Sequence, residues 1–310
     1  MPARLEKSAV TRVRIALYLA PALLLSLLVF FYPICKTIYN SLHELVLGGA
    51  NAGASRFVGL GNFRFVFKDP LFAESLGHNF LLFLVCVPLL VVLSVAVAVL
   101  LNQGMTGWRA YRTIVFIPYV LPIVVVGISF GFMFQLNGVI NTAFAALKLD
   151  ALRVDWLAKS NSAFLVLVVM IVWKELGFGV VIMLARLLSV DESLIEAGRL
   201  DGCNSWQLTL RVIVPQMKEI IYFYTVLATI TVFTWLFNYV FVLTRGGPGT
   251  STYILELYAY NQAFRYQNRG LSSAVAALII LAVLLVTFLP ELRRLAARKE
   301  GIEHMRVPRG

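Results

Sequence analysis

The sequence predicts an all-helical integral membrane protein with six transmembrane helices. Three observations predict it. Of 310 residues, 60% are hydrophobic and only 14% are charged, against about 25% charged in an ordinary soluble domain. The mean hydropathy of +0.83 is too apolar for a surface that meets water on all sides. Six separate apolar runs are each long enough to cross a hydrocarbon core of about 30 Å, which takes about 20 helical residues.

The runs fall at Ile15–Ile34, Phe80–Leu101, Thr113–Phe134, Phe164–Leu188, Ile220–Leu243 and Leu271–Leu289. Helix is required because a lipid-exposed backbone with unpaired N–H and C=O groups costs several kcal/mol per group. The first run is longer than the apolar part of a secretory signal and no small-residue cleavage site follows it, so it reads as a retained helix. Pro88, Pro118 and Pro122 lie inside spans. Each removes a backbone donor, so these helices are expected to bend or open.

Charge distribution gives the orientation. With the N-terminus in the cytoplasm, sixteen of the 27 Lys and Arg residues lie in segments 1–14, 102–112, 189–219 and 290–310 or, as Arg186, just inside a span end. Ten lie in the outer loops, and Lys174 lies within a span. Both termini are expected inside: a cytoplasmic N-terminal segment (1–14), a membrane domain (15–289) and a basic tail (290–310). The net charge of +11 is thereby assigned to orientation, and no nucleic-acid partner is expected. Cys35, Cys86 and Cys203 are scattered without metal-like or disulfide-framework spacing.

The segment from Ser189 to Glu219 is long, polar and patterned. Ser189 followed by Glu192 forms a capping-box pattern that predicts a helix start. Gly202 offers the positive φ of a helix end. Asn204 or Ser205 caps a second short helix to about Val212, and Pro215 stops it. Leu194, Ile195, Trp206 and Leu208 are expected as exposed anchors. Such a hairpin suits docking into a groove on a soluble partner or lying on lipid headgroups; the residues alone leave both open.

Within the spans, Trp173, Lys174 and Glu175 stand near mid-membrane, where charges are costly and mark function or a specific partner. Adjacent helix positions diverge by about 100°, so Lys174 and Glu175 need not pair with each other. Gly177 and Gly179 permit close helix approach there. Thr231, Thr234, Trp235 and Asn238 share one helix face at i, i+3, i+4 and i+7, next to Tyr239, and suit either the lining of a polar solute path or interhelical packing. A secondary carrier would need acidic or His groups in several spans, and a membrane enzyme a convergent catalytic set. The sequence offers only Lys174 and Glu175 for the first and nothing for the second.

Glu196-Ala197-Gly198, then Gly202, then Val212, Val214 and Pro215 resemble the EAA loop of binding-protein-dependent ABC importer permeases. That pattern is Glu-Ala-Ala, three residues, Gly, nine residues, Ile, one residue, Leu-Pro; here Gly198 replaces Ala and Val replaces Ile and Leu. Leu243-Thr-Arg-Gly-Gly-Pro-Gly-Thr-Ser-Thr252, Gly59-Leu-Gly-Asn-Phe63 and Phe116-Ile-Pro-Tyr-Val-Leu-Pro122 resemble the carbohydrate-type subfamily, maltose- or glycerol-3-phosphate-like. The resemblance implies a type I importer fold and a non-catalytic subunit in a bacterial or archaeal plasma membrane. It also implies a second homologous permease, two ATPase subunits, an extracytoplasmic solute-binding protein and a sugar or sugar-phosphate-like solute. ATP and Mg would be bound by the ATPase subunits, since the chain carries no GxxxxGK[ST] loop and no cofactor is expected in it. Glu196, Ala197, Gly198, Arg199, Asp201, Gly202, Trp206 and Pro215 would then form the ATPase-coupling site, and Trp173, Lys174, Glu175, Thr231, Thr234, Trp235, Asn238 and Tyr239 the substrate path.

Overall fold

The computed structural model describes residues 15, 17–45, 55–102 and 107–304. The expected N-terminal segment 1–14 lies outside these, as do residues 103–106 of the 102–112 loop and the last six residues of the basic tail. Among the described residues, six segments are long and apolar enough to span a membrane. The chain is a multi-pass membrane protein. Contacts divide it into two units, one of residues up to Asp69 with Ala259–Ile280, the other of Pro70–Tyr258 with the residues from Leu281.

In the first unit, α1 (Leu17–Ser41) is longer than the expected Ile15–Ile34 and buries none of its apolar window within the chain. It widens into a π turn at Leu27–Phe31, closed by Tyr32 N donating to Leu27 O. Pro33 follows at once and has no N–H to give, so the wider turn accommodates its ring. A two-stranded antiparallel ribbon, β1 (His43–Leu45) with β2 (Ser55–Phe57), pairs Glu44 with Arg56. The short helix α2 (Gly61–Lys68) explains the Gly-Leu-Gly-Asn-Phe stretch. Asn62 is buried and donates to the carbonyls of Ser41 (2.8 Å) and His43 (3.0 Å), fixing the end of α1 to the ribbon.

The second unit is a helix bundle of α3 (Pro70–Asn102), α4 (Trp108–Val120), α5 (Ile123–Phe134), α6 (Val139–Ala146), α7 (Ser160–Leu187) and α10 (Lys218–Leu243), with the short helices α8 (Glu192–Leu200) and α9 (Ser205–Leu208) before α10. α11 (Leu255–Tyr260) follows; α12 (Arg269–His304), whose residues up to Ile280 belong to the first unit, carries the sixth apolar window, Arg269–Phe288. α7 packs against α3, α4, α5 and α10, and its Leu167, Met170 and Met183 share a core with Leu82, Leu90 and Leu236. Apolar side chains also cover much of the outside, including Leu84, Val92, Val125, Leu165 and Phe223, as a lipid solvent allows.

Two expectations about the spans are corrected. α3 begins ten residues before Phe80, with Pro70 as its first residue, a position where the missing N–H costs nothing. Its early residues Phe72, Ser75 and Asn79 are buried, so protein contacts extend the helix beyond the apolar window. The third span is not one helix over 113–134. Leu121 is extended (ψ 140°) and Pro122 starts a new helix; the apolar segment long enough to span is Ile123–Ala146, preceded by α4. The helices run unbroken through Pro88 and Pro118, so the chain opens at one proline of the three.

The crossings of α7 depend on glycine. A Cβ on Gly177 would collide with the carbonyl oxygen of Val115 on α4, and one on Gly179 with Ser94 of α3 and Tyr224 of α10. Because backbone cannot give way as a side-chain end can, Gly177→Val is expected to destabilise the purified protein by about 2 kcal/mol. A lowered thermal midpoint in detergent, with unchanged yield of membrane-inserted chain, is the measurement that checks it.

Candidate functional site

Between α7 and α10 the chain builds a compact hairpin. The α8 cap is Asp191, whose carboxylate accepts from Ser193 N at 3.0 Å. That hydrogen bond holds the exposed Asp191 carboxyl below the usual carboxylate range. The expected Ser189/Glu192 box is therefore corrected: the Ser189 hydroxyl donates to Arg186 O (2.7 Å) and accepts from Arg186 Nη1 (2.9 Å), so it belongs to the end of α7. α8 ends as expected. Gly202 stands at φ +80° with open space around it, and Cys203 N returns to Gly198 O at 3.1 Å. Gly is needed here for its backbone, not for room.

Asn204 caps α9 reciprocally with Gln207, each side chain taking the other residue's amide at 2.8 and 3.0 Å. α9 then widens into a π turn (Thr209–Ile213) closed by Val214 N on Thr209 O, and the turn Val214–Gln216 follows. The widened turn carries the chain past Pro215, and the helical segment ends one residue later at Gln216, close to the expected stop. Gly198 is buried, and a Cβ there would press on Leu208 Cδ1 at 2.7 Å and Val212 Cγ2 at 3.3 Å. The two arms thus touch at the position where the EAA pattern has Ala.

Of the expected coupling residues, Glu196, Ala197, Arg199, Asp201, Gly202, Trp206 and Pro215 are exposed and Gly198 is internal. Glu196 and Arg199 are not paired: the ion pairs among the described residues are Arg56–Glu44 and Arg153–Asp150. Trp206 is 70% exposed beside an apolar cleft of about 640 Å³ that includes Val95, Val99, Leu210 and Ile221. Leu208, expected among the exposed anchors, is buried against Gly198, and Leu200, at 89% exposure, is presented instead.

The intramembrane residues separate into two sites. Lys174, 7% exposed, donates to Tyr119 O at 3.0 Å and lies 5.6 Å from that ring's centroid. With Leu121 extended, the Tyr119 carbonyl loses its helical donor and the ammonium takes that place. Glu175 accepts from the buried Tyr239 hydroxyl and lines a narrow cleft with Phe178, Tyr224 and Thr231. Lys174 and Glu175 do not pair with each other. Thr234 and Trp235 (52%) are exposed on α10, with Asn238 half-buried. Trp173 is exposed on α7, 5.6 Å from Phe130. Tyr119, stacked on Phe178 at 5.0 Å, and Tyr224 were missed by sequence reasoning; the Pro118-Tyr119 pair inside the Phe116–Pro122 motif was the available signal.

The Gly-Gly-Pro loop is held by α3. Asn79 donates to both Glu256 carboxylate oxygens (3.1 and 3.0 Å) and accepts from Leu255 N (2.8 Å). His78 meets Tyr253 O at 2.8 Å, and Thr250 donates to Glu74 at 2.6 Å. Within the loop, Thr252 joins Thr244 and Gly247 O.

Comparison with known proteins agrees with this architecture. Residues 90–299 match the family described as binding-protein-dependent transport system inner membrane component. The lactose transport system permease protein LacF of Rhizobium radiobacter is 31% identical over 277 residues, covering 88% of this chain and 91% of that one. A probable ABC transporter permease protein of Pyrococcus horikoshii is 32% identical over 274 residues, covering 88% and 92%. A bacterial alginate ABC transporter, solved in complex with an alginate pentasaccharide-bound periplasmic protein, shares the fold at TM-score 0.79 and 20% identity, covering 92% of this chain and 96% of that chain. The chain belongs to the binding-protein-dependent inner-membrane permease family. Its members named here are permease subunits, which are not catalytic by themselves.

Burial pushes the Glu256 carboxyl up to about 7 from an ordinary 4.5, against the opposing hydrogen bond from Asn79. A raised acid pKa favours the folded state fully below 4.5, and that contribution is lost as pH rises through about 7. The thermal midpoint of the purified protein is expected to fall across that window. In Glu256→Gln, whose amide oxygen still accepts from Asn79, the fall is expected to disappear.

Proposed function

We propose that the chain is one of two homologous permeases that together form the translocation path of an ATP-binding-cassette importer for a sugar or sugar-derived solute. An extracytoplasmic binding protein delivers the solute, and two cytoplasmic ATPase subunits, which hold ATP and Mg, drive the path. Both termini lie in the cytoplasm of a bacterial or archaeal cell, with 1–14 and 290–310 flanking the membrane domain 15–289. The supporting observation is the hairpin: internally cross-braced, capped at each helix start, and exposing Glu196, Arg199, Leu200 and Trp206. A stiff element with exposed apolar and charged groups suits docking on a soluble motor better than lying on headgroups, since α8 offers its charges and Leu200 to the same solvent.

LacF carries lactose in its name and the structural neighbour alginate in its description. These support carbohydrate as the solute class, and the neighbour's periplasmic protein supports the delivery partner. In this reading ATPase closure tilts the hairpin and alternately exposes the path, a rigid-body transition. The path on this subunit is assigned to Trp173, Lys174, Glu175, Thr231, Thr234, Trp235, Asn238 and Tyr239. Aromatic faces and hydroxyl, amide and carboxylate groups are what a sugar binds. Lys174 is already held by Tyr119 O, so it shapes the path at the broken span and leaves Glu175 and Thr231 as its polar wall, with the buried Tyr239 hydroxyl holding Glu175 in place.

The test is proteoliposome uptake with the second permease, the ATPases and the binding protein. Uptake is expected to require all of them and ATP; solute movement by this chain alone would overturn the reading. Glu196→Ala is expected to cut ATP-driven uptake about tenfold, as loss of a charge-assisted contact does, with the membrane content of the chain unchanged on immunoblot. Gly202→Val, which strains a left-handed residue by about 1–2 kcal/mol, is expected to do the same, although open space surrounds the site.

A further inference from the structure

We infer that Arg186 is a positioning residue that closes the base of the hairpin, so that hairpin and spans move as one body. In the sequence Arg186 counted only as one more cytoplasmic charge. In the structure it has a specific geometry. Its Nη1 donates to Ser189 Oγ at 2.9 Å and its Nη2 to Gln216 O at 2.9 Å. Ser189 Oγ donates back to Arg186 O at 2.7 Å. One planar guanidinium therefore joins the residue where the chain leaves α7 to the carbonyl where the Val214–Gln216 turn ends, 30 positions from Arg186.

Arg186 is not needed to finish its own helix. Leu188 N, Ser189 N and Val190 N already take the carbonyls of Leu184, Arg186 and Leu187. What it satisfies is the carbonyl end of another helical turn, where an orphan acceptor and the negative end of the backbone dipoles favour a cation. Everything enclosed by this link is braced already: the Asp191 cap, the Gly198 contact with Leu208 and Val212, the Asn204–Gln207 box, and Leu208, Ile213 and Met217 buried in the core. The remaining joints are the two places where the hairpin meets α7 and α10. Arg186 spans both. Lysine would not replace it, because a single ammonium lacks the two fixed donor directions of the fork.

This inference rests on the coupling role proposed for the hairpin. The experiment uses the complete reconstituted transporter and reads solute moved per ATP hydrolysed. Arg186→Met is expected to lower that ratio about tenfold, the effect of losing a charge-assisted hydrogen-bond pair, while basal hydrolysis and the amount of assembled complex stay within about twofold. Arg186→Lys is expected to fall between the two. A role confined to stability would reduce assembly or scale uptake and hydrolysis together, leaving the ratio unmoved. An unchanged ratio in Arg186→Met alongside a lowered one in Glu196→Ala overturns the clasp and keeps the coupling role; unchanged ratios in both overturn the coupling role itself. If Arg186→Met does not assemble, Ser189→Ala removes one arm and keeps the charge. It is expected to raise amide exchange at residues 188–190 and 216–218 without raising it at 192–208, and unchanged exchange at both joints overturns the inference.

Discussion

Hydrocarbon supplies no hydrogen bonds, and that constraint governs every irregular feature of the membrane bundle. Where α4 gives way to α5 at Leu121–Pro122, the freed Tyr119 carbonyl is met by Lys174. The ammonium in turn gains a backbone oxygen and an aromatic face in a place where it would otherwise be an unpaired charge. One interaction thus settles both a broken helix and a buried cation. The same logic puts the Tyr239 hydroxyl on Glu175, so two adjacent charged residues on α7 are satisfied by different neighbours on different helices.

Proline is handled in three ways, the simplest at Pro88 and Pro118, where the helix runs on unchanged. At Pro33 the helix widens by one residue per turn and continues; at Pro215 a widened turn carries it past the proline to its end at Gln216; at Pro122 it breaks. The difference lies in what is available nearby. A wide turn needs only its own backbone, whereas a break leaves a carbonyl that some side chain must reach, and Lys174 is placed to do so. Around this point Gly177 lets α4 come close enough for the contact to form. The packing of α7, the position of the charge and the shape of the third span are parts of one arrangement.

The spans, the Gly202 turn, the Asn204 cap and the divergence of Lys174 from Glu175 were legible because each follows from local rules of period, φ preference and hydrogen-bonding reach. The misses share a cause. Ser189 and Glu192 have the spacing of a cap, but Arg186 competes for the Ser189 hydroxyl and Asp191 is nearer the free amides. Leu208 looks like an exposed apolar residue until Gly198 gives it a surface to pack on. α3 outruns its hydrophobic window because Asn79 finds partners in Glu256 and Leu255. In each case a specific partner, close in the chain for Ser189 and on another helix for Leu208 and α3, decided between options that the local pattern left equal. The roles of Tyr119 and Tyr224 were invisible for a related reason: an aromatic residue in an apolar run carries no sign of which polar group will reach it.

The length of α3 has a mechanical corollary. Its 33 residues make a rod of about 50 Å, well over the thickness of the bilayer interior. Near one tip, Glu74 takes Thr250 of the Gly-Gly-Pro loop and Asn79 holds the start of α11 through Glu256 and Leu255; near the other, Val95 and Val99 face the cleft beside Trp206. The rod stays helical through Gly77 and Pro88, the two residues at which it could bend. A displacement imposed at one membrane surface therefore arrives at the opposite surface as a lever arm would carry it, without any intermediate gear.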